Sequence, residues 1–178
     1  YGVHMFFVIS GIVIPLSMVM SDYKHGSWFR FMSRRFIRIE PPYLAAVVIG
    51  TFYLIIRNYI PGTADVDMTP NGTTLLLHVG YLIPFFEGHH WINNVFWSLA
   101  VEFQYYLLLC LVFPYFLKGQ LWQRILLYVL FMSVGAIMPL RSMLPIWLPL
   151  FMVGISYVLL RYKYIEKLEY GLVLLCSL

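Results

Sequence analysis

Val95-Phe96-Trp97-Ser98-Leu99-Ala100-Val101-Glu102-Phe103-Gln104-Tyr105-Tyr106-Leu107-Leu108-Leu109-Cys110-Leu111-Val112-Phe113-Pro114-Tyr115-Phe116 is an apolar run whose strongly polar members are Glu102 and Gln104. A helix needs about 20 apolar residues to cross a bilayer, and this stretch supplies them. Placing an ionisable carboxylate there costs roughly 2.5–3.5 kcal/mol on insertion scales. Such a group faces a protein interior or a wet cavity and has a partner, so Glu102 reads as a functional residue.

The rest of the chain is built for the same solvent. Of its 178 residues 61% are hydrophobic and 11% charged, with a mean hydropathy of +0.79, which fits a polytopic membrane protein. Further candidate spans are Gly2 to Met20, Pro42 to Ile60 and Leu121 to Met138, with Leu144 to Leu160 long enough given slight thinning of the bilayer. Leu75 to Phe86 would rise only about 18 Å as a helix, and Tyr170 to Leu178 is shorter still. The expected fold is an all-α transmembrane bundle with about five full spans, one short re-entrant or interfacial segment and a truncated final span. Because Tyr1 and Leu178 both lie in apolar runs, residues 1–178 are expected to form a single membrane-embedded domain, incomplete at both ends and with no soluble domain.

Basic residues set the expected orientation, since cytoplasmic loops are rich in Lys and Arg. With the short segment not spanning, Lys24, Arg30, Arg34, Arg35, Arg38, Lys118, Arg124, Arg161, Lys163 and Lys167 share one side, against Arg57 and Arg141. With it spanning, the bias vanishes. The residues from Ser21 to Glu40 are therefore expected to form a cytoplasmic loop, with Pro41 and Pro42 starting the next helix. The stretch from Pro61 to Asn94 falls on the outer or lumenal face. The pI of about 9.1 follows from this bias and from anionic lipid headgroups, and no nucleic-acid module is present.

Helical spacing puts Arg35 and Arg38 side by side, and two guanidinium forks suit phosphate. An ordinary topology signal explains the same residues. Histidine pair His89-His90, with Glu87 and His78 near it, has no recognised zinc spacing, and no metal is expected. Asp65 and Asp67 read as a solvated turn ahead of Pro70-Asn71-Gly72. Cys110 and Cys176 form neither a disulfide framework nor a redox motif. Arg161 through Glu169 mixes charge signs and reads as a cytoplasmic connection between spans.

Three segments, in order, carry a resemblance. Tyr1-Gly2-Val3-His4-Met5-Phe6-Phe7-Val8-Ile9-Ser10-Gly11, then Phe31 through Arg38 to Pro42-Tyr43, then Trp97 through Tyr106 together resemble the acyltransferase 3 family, the membrane O-acyltransferases of bacterial surface glycans. The resemblance implies transfer of an acyl group, acetyl first, from cytoplasmic acyl-CoA to a hydroxyl of a surface or lipid-linked saccharide. The implied setting is a multi-pass protein of the bacterial inner membrane, with membrane lipid, acyl-CoA and the saccharide as partners. It carries the family's arginine pair onto Arg35 and Arg38 as donor-binding residues and its membrane glutamate onto Glu102 as catalytic. Trp97 and Ser98 match motif positions taken as substrate-binding.

Ser10 and Gly11 also match, and close helix packing by small residues explains them. The family's catalytic histidine belongs to a helix preceding Tyr1, so this stretch alone is expected to be inactive. His4 falls at a variable motif position and is expected to be an interfacial, hydrogen-bonded residue. Acyl transfer needs a base for the hydroxyl proton, and a histidine supported by a carboxylate serves near neutral pH. Three roles stay open for Glu102: orienting such a base, holding the acceptor, or pairing with a buried cation. A transporter or sensor using the glutamate for proton or solute coupling is the alternative class.

Overall fold

The computed structural model describes residues 2–60, 69–137 and 143–177. It is 81% helical, with no strand among the described residues. The helices are α1 (Gly2–Met20), α2 (Trp28–Asn58), α3 (Gly72–Val79), α4 (Phe96–Lys118), α5 (Leu121–Ile137), α6 (Leu148–Arg161) and α7 (Lys167–Ser177), with 3-10 turns at His25–Ser27, Ile83–Phe85 and Leu144–Trp147. Helices α1, α2 and α4 are long and apolar enough to span, as is α6 taken with its preceding turn. Four helices thus meet the length for a span where about five were expected, because α5, at 17 residues, rises only about 26 Å. The turn containing Asp65 and Asp67, and the position of Arg141, lie outside the described residues.

The chain divides into two compact units, residues 30–100 and residues 1–29 with 101–178. In the second, α1 and α6 cross at their glycines. A Cβ on Gly11 would sit 2.6 Å from the Phe151 carbonyl oxygen, and one on Gly154 would sit 2.6 Å from both the Val8 oxygen and the Ile12 nitrogen. Only glycine permits this backbone approach, the means by which membrane helices gain packing when lipid offers no hydrophobic drive. Around the crossing Phe7 contacts Phe151 with ring centroids 5.0 Å apart, and Tyr105 stacks on Phe151 at 3.9 Å. His4 meets Trp147 edge-on at 5.5 Å.

In the unit of residues 30–100, the second helix does not begin at the prolines. It starts at Trp28 and runs through Pro41 and Pro42, so the expected loop from Ser21 to Glu40 is a short connection followed by three turns of helix. The missing proline N–H groups leave the carbonyls of Ile37 and Arg38 without helical donors. Both residues are exposed, where water or headgroups take over. Beyond Pro42, Val48, Ile49, Phe52 and Ile56 form an exposed apolar face, as expected of a helix solvated by lipid.

Helix α3 is only eight residues long, about 12 Å, and cannot span. Asn71 caps it, its Oδ1 accepting the Thr74 N–H at 2.8 Å. At the other end His78 and Tyr81 pack on Tyr43, which lies about 22 Å of helix rise back from Asn58, the end of α2. The C-terminal end of the short segment therefore packs against the middle of α2 rather than its end. It ends with Tyr81 in the left-handed region (φ 56°), closed by Tyr81 N–H to His78 O and Leu82 N–H to Leu77 O. Glycine normally fills that position, and here Gly80, one residue early, keeps an ordinary φ of −91°.

Candidate active site

The α1–α6 crossing fixes the height of Ser10, whose Oγ donates to Glu102 Oε1 at 3.1 Å. One turn after Glu102, the Tyr106 hydroxyl donates to the same oxygen at 2.6 Å. The glutamate is 7% exposed and Ser10 6%, so the carboxylate is taken out of solvent and answered by hydroxyl dipoles. Hydrogen bonds to ionised groups are worth about 1.5–3 kcal/mol each, comparable with the insertion cost of the charge. Ser10 was read as packing by a small residue; it is also a direct partner of the glutamate, and Tyr106 closes the pair.

Gln104 serves the same unit differently. Its Oε1 accepts the Leu144 N–H at 2.9 Å and holds the start of the turn leading into α6, while its Nε2 is buried with no acceptor among the described residues. Ser98, expected to bind substrate, spends its hydroxyl on the Val95 carbonyl at 2.8 Å. That back-bond satisfies it locally. Trp97 is half-buried on α4.

Arg35 and Arg38 share a face of α2, as their spacing requires. The Arg35 guanidinium carbon lies 5.5 Å from the Phe31 ring centroid, a cation–π contact, and Arg38 is exposed without an ion pair among the described residues. Arg124, by contrast, is fully committed. It grips Glu169 through Nε at 3.0 Å and Nη2 at 3.2 Å, donates Nη1 to the Gly119 carbonyl, and Tyr128 adds a 2.9 Å bond to the same carboxylate. The segment read as a cytoplasmic connection between spans thus supplies a half-buried structural anion.

Histidine His78 was noted in the sequence only as a neighbour of the His89-His90 pair. It is fully buried. Its Nδ1 lies 3.0 Å from the Tyr43 hydroxyl, that hydroxyl reaches the His78 carbonyl at 3.1 Å, and Nε2 lies 3.3 Å from the Ile92 N–H. One tautomer satisfies all three: Nδ1–H donates to Tyr43, Tyr43 donates to the carbonyl, and Nε2 accepts from Ile92. Burial lowers the His78 pKa, opposed by the His90 backbone. The imidazole thereby clasps α2, α3 and the loop before α4. His89 is separately engaged, its Nδ1 2.8 Å from Thr74 Oγ1. The i, i+4 spacing of Thr74 and His78 on an otherwise apolar helix was the sequence signal for this polar face.

Against known proteins, a family model described as an acyltransferase domain matches residues 1–178, the whole chain. No curated protein and no solved structure matches it.

Proposed function

Since the chain belongs to the acyltransferase 3 family and is an integral membrane protein with acyltransferase activity in the general sense of that family, we propose that it moves an acyl group, acetyl first, from acyl-CoA to a hydroxyl of a surface or lipid-linked saccharide. Arg35 and Arg38 take the phosphates of coenzyme A, and Glu102 belongs to the acceptor or catalytic end. The setting is the bacterial inner membrane with the Arg34 to Arg38 segment cytoplasmic.

In the reaction the acceptor oxygen attacks the thioester carbonyl, its O–H proton passes to a base, the C–S bond breaks, and coenzyme A leaves as the thiol once it regains a proton. Ionised Glu102 suits the role of holding a donor group, the acceptor hydroxyl or a protonated base, because its Oε1 is already fixed in place by Ser10 and Tyr106. The observation that carries the reading is this carboxylate, buried in an apolar helix and held at Oε1 by the hydroxyls of Ser10 and Tyr106. Two guanidiniums on one helix face supply the complementary anion-binding end.

The test is transfer of radiolabel from acetyl-CoA in membranes containing the full-length protein. Label is expected in membrane or surface glycan and lost in the Arg35→Ala/Arg38→Ala double variant, with membrane insertion intact. Glu102→Gln is expected to keep donor binding and lose turnover. Label that never appears, across acetyl and longer acyl donors, would overturn the reading in favour of transport or sensing.

A further inference from the structure

A second buried glutamate, Glu40, stands in the unit of residues 30–100. It closes the arginine-rich part of α2, directly before Pro41, and is 5% exposed. Its two oxygens are treated unequally. Oε2 accepts the Tyr81 hydroxyl at 3.1 Å, while Oε1 is buried with no hydrogen-bond partner among the described residues. Glu102 has its Oε1 doubly answered; Glu40 has one oxygen left over.

The surroundings make this oxygen conspicuous. Tyr81 is stacked on Tyr43 with centroids 4.6 Å apart, and Phe96 meets Tyr43 edge-on at 5.1 Å. The Tyr43 hydroxyl and both ring nitrogens of His78 are engaged with one another and with Ile92. Every polar side-chain atom of this aromatic seat has a partner except Glu40 Oε1. Tyr81 also delivers its hydroxyl from a positive φ that the adjacent Gly80 would adopt at no steric cost. Strain held by its surroundings in this way is a mark of function. The Tyr81 bond uses one oxygen and leaves the desolvation of the other unrepaid, so that bond alone does not account for a glutamate here.

We propose that Glu40 is a substrate-contacting residue, whose Oε1 accepts a hydrogen bond from a neutral N–H or O–H donor while Tyr81 holds Oε2. The inference rests on the acyl-transfer reading. On the helical wheel Glu40 lies about 140° from Arg35 and about 160° from Arg38, so it does not share their ligand. A carboxylate repels phosphate, so the coenzyme A phosphates are excluded from this site. Two groups of the reaction have the right chemistry: the amide N–H and hydroxyl groups of the pantetheine arm, and the hydroxyls of the acceptor sugar.

The experiment compares wild type, Glu40→Gln and Glu40→Met in the full-length protein in membranes, measuring thermal stability beside label transfer with each substrate varied in turn. Glutamine keeps an oxygen for Tyr81 but puts an NH2 where Oε1 stood, and methionine removes both oxygens at nearly constant length. Glu40→Gln, which keeps an acceptor for Tyr81, is expected to melt close to wild type and Glu40→Met lower through loss of that bond, and both are expected to lose about ten-fold or more in kcat/KM per folded protein, the usual scale for a lost bond to an ionised acceptor. A raised KM for acyl-CoA alone assigns the donor group to pantetheine, and a raised KM for the acceptor alone assigns it to the sugar. Unchanged kinetics in both variants, or activity lost only in step with folded protein, would overturn the proposal and make Glu40 a structural partner of Tyr81. Wild-type protein that transfers no label would instead overturn the acyl-transfer reading itself.

Discussion

Gly154→Ala perturbs the α1–α6 crossing by one methyl group, and its size follows from the contacts there. The new Cβ would sit closest to the Gly11 carbonyl carbon and 2.6 Å from Val8 O and Ile12 N, against 3.4 Å for the start of ordinary contact, so α1 must retreat by at least about 0.8 Å or the methyl remain compressed. Any component of that shift that carries Ser10 away from Glu102 stretches a bond already at 3.1 Å. Overpacking of this kind costs about 1–3 kcal/mol. At roughly 2–4 °C per kcal/mol for a chain of this size, the melting temperature should fall by about 2–12 °C.

Gly171→Ala is the internal reference. It too lies within a helix, but an added Cβ would meet nothing within 4 Å, so the smaller entropy of the unfolded chain should stabilise it by about 0.4–1 kcal/mol. The assay is thermal unfolding of the full-length protein in detergent or nanodiscs. The two alanines are expected to move the transition in opposite directions. Gly154→Ala melting at or above wild type would refute the close-packed crossing and the argument that it fixes Ser10 against Glu102.

Tyr106→Phe deletes the 2.6 Å bond to Glu102 and should lower turnover by about 10- to 150-fold, the range for a hydrogen bond to an ionised group; label transfer at saturating donor measures it, and wild-type rates would show the hydroxyl to be dispensable. His78 is held neutral in the folded protein, its pKa lowered by burial, while the unfolded chain protonates near 6.5. Its contribution is therefore complete above about pH 6.5 and lost as pH falls from there toward the folded value; melting temperatures across that range should show the decline in wild type and less of it in His78→Gln. The Arg124–Glu169 pair is 14% exposed on each side and bidentate, so a double-mutant cycle with Arg124→Met and Glu169→Gln should give a coupling of about 0.5–3 kcal/mol. Additive effects would mean that the pair is worth no more than an exposed one.

Much of the fold was legible because membrane spans are written in runs of single residues: the length of α1 and α4, the shortness of α3 and the need of Glu102 for partners all follow from composition along the chain. Helix boundaries at proline were less so. Pro41 and Pro42 look like a start, yet α2 passes through them because the two carbonyls they orphan face outward, a fact of exposure rather than of sequence. Ser98 matches a motif position taken as substrate-binding, and only the structure shows that its hydroxyl donates to the Val95 carbonyl.

The sequence by itself determined that this chain lives in a bilayer, which runs are long and apolar enough to cross it, which family it belongs to, and that a carboxylate at position 102 requires partners. Tertiary structure alone decided who those partners are. Ser10 lies far from Glu102 along the chain and reaches it only because Gly11 and Gly154 let two backbones touch. It also decided that Glu40 is buried against Tyr81 with one oxygen unanswered among the described residues, and that His78 is a clasp. Polarity along a chain shows which groups must be satisfied; which of them are, and which are left open for a ligand, depends on contacts between residues remote in sequence.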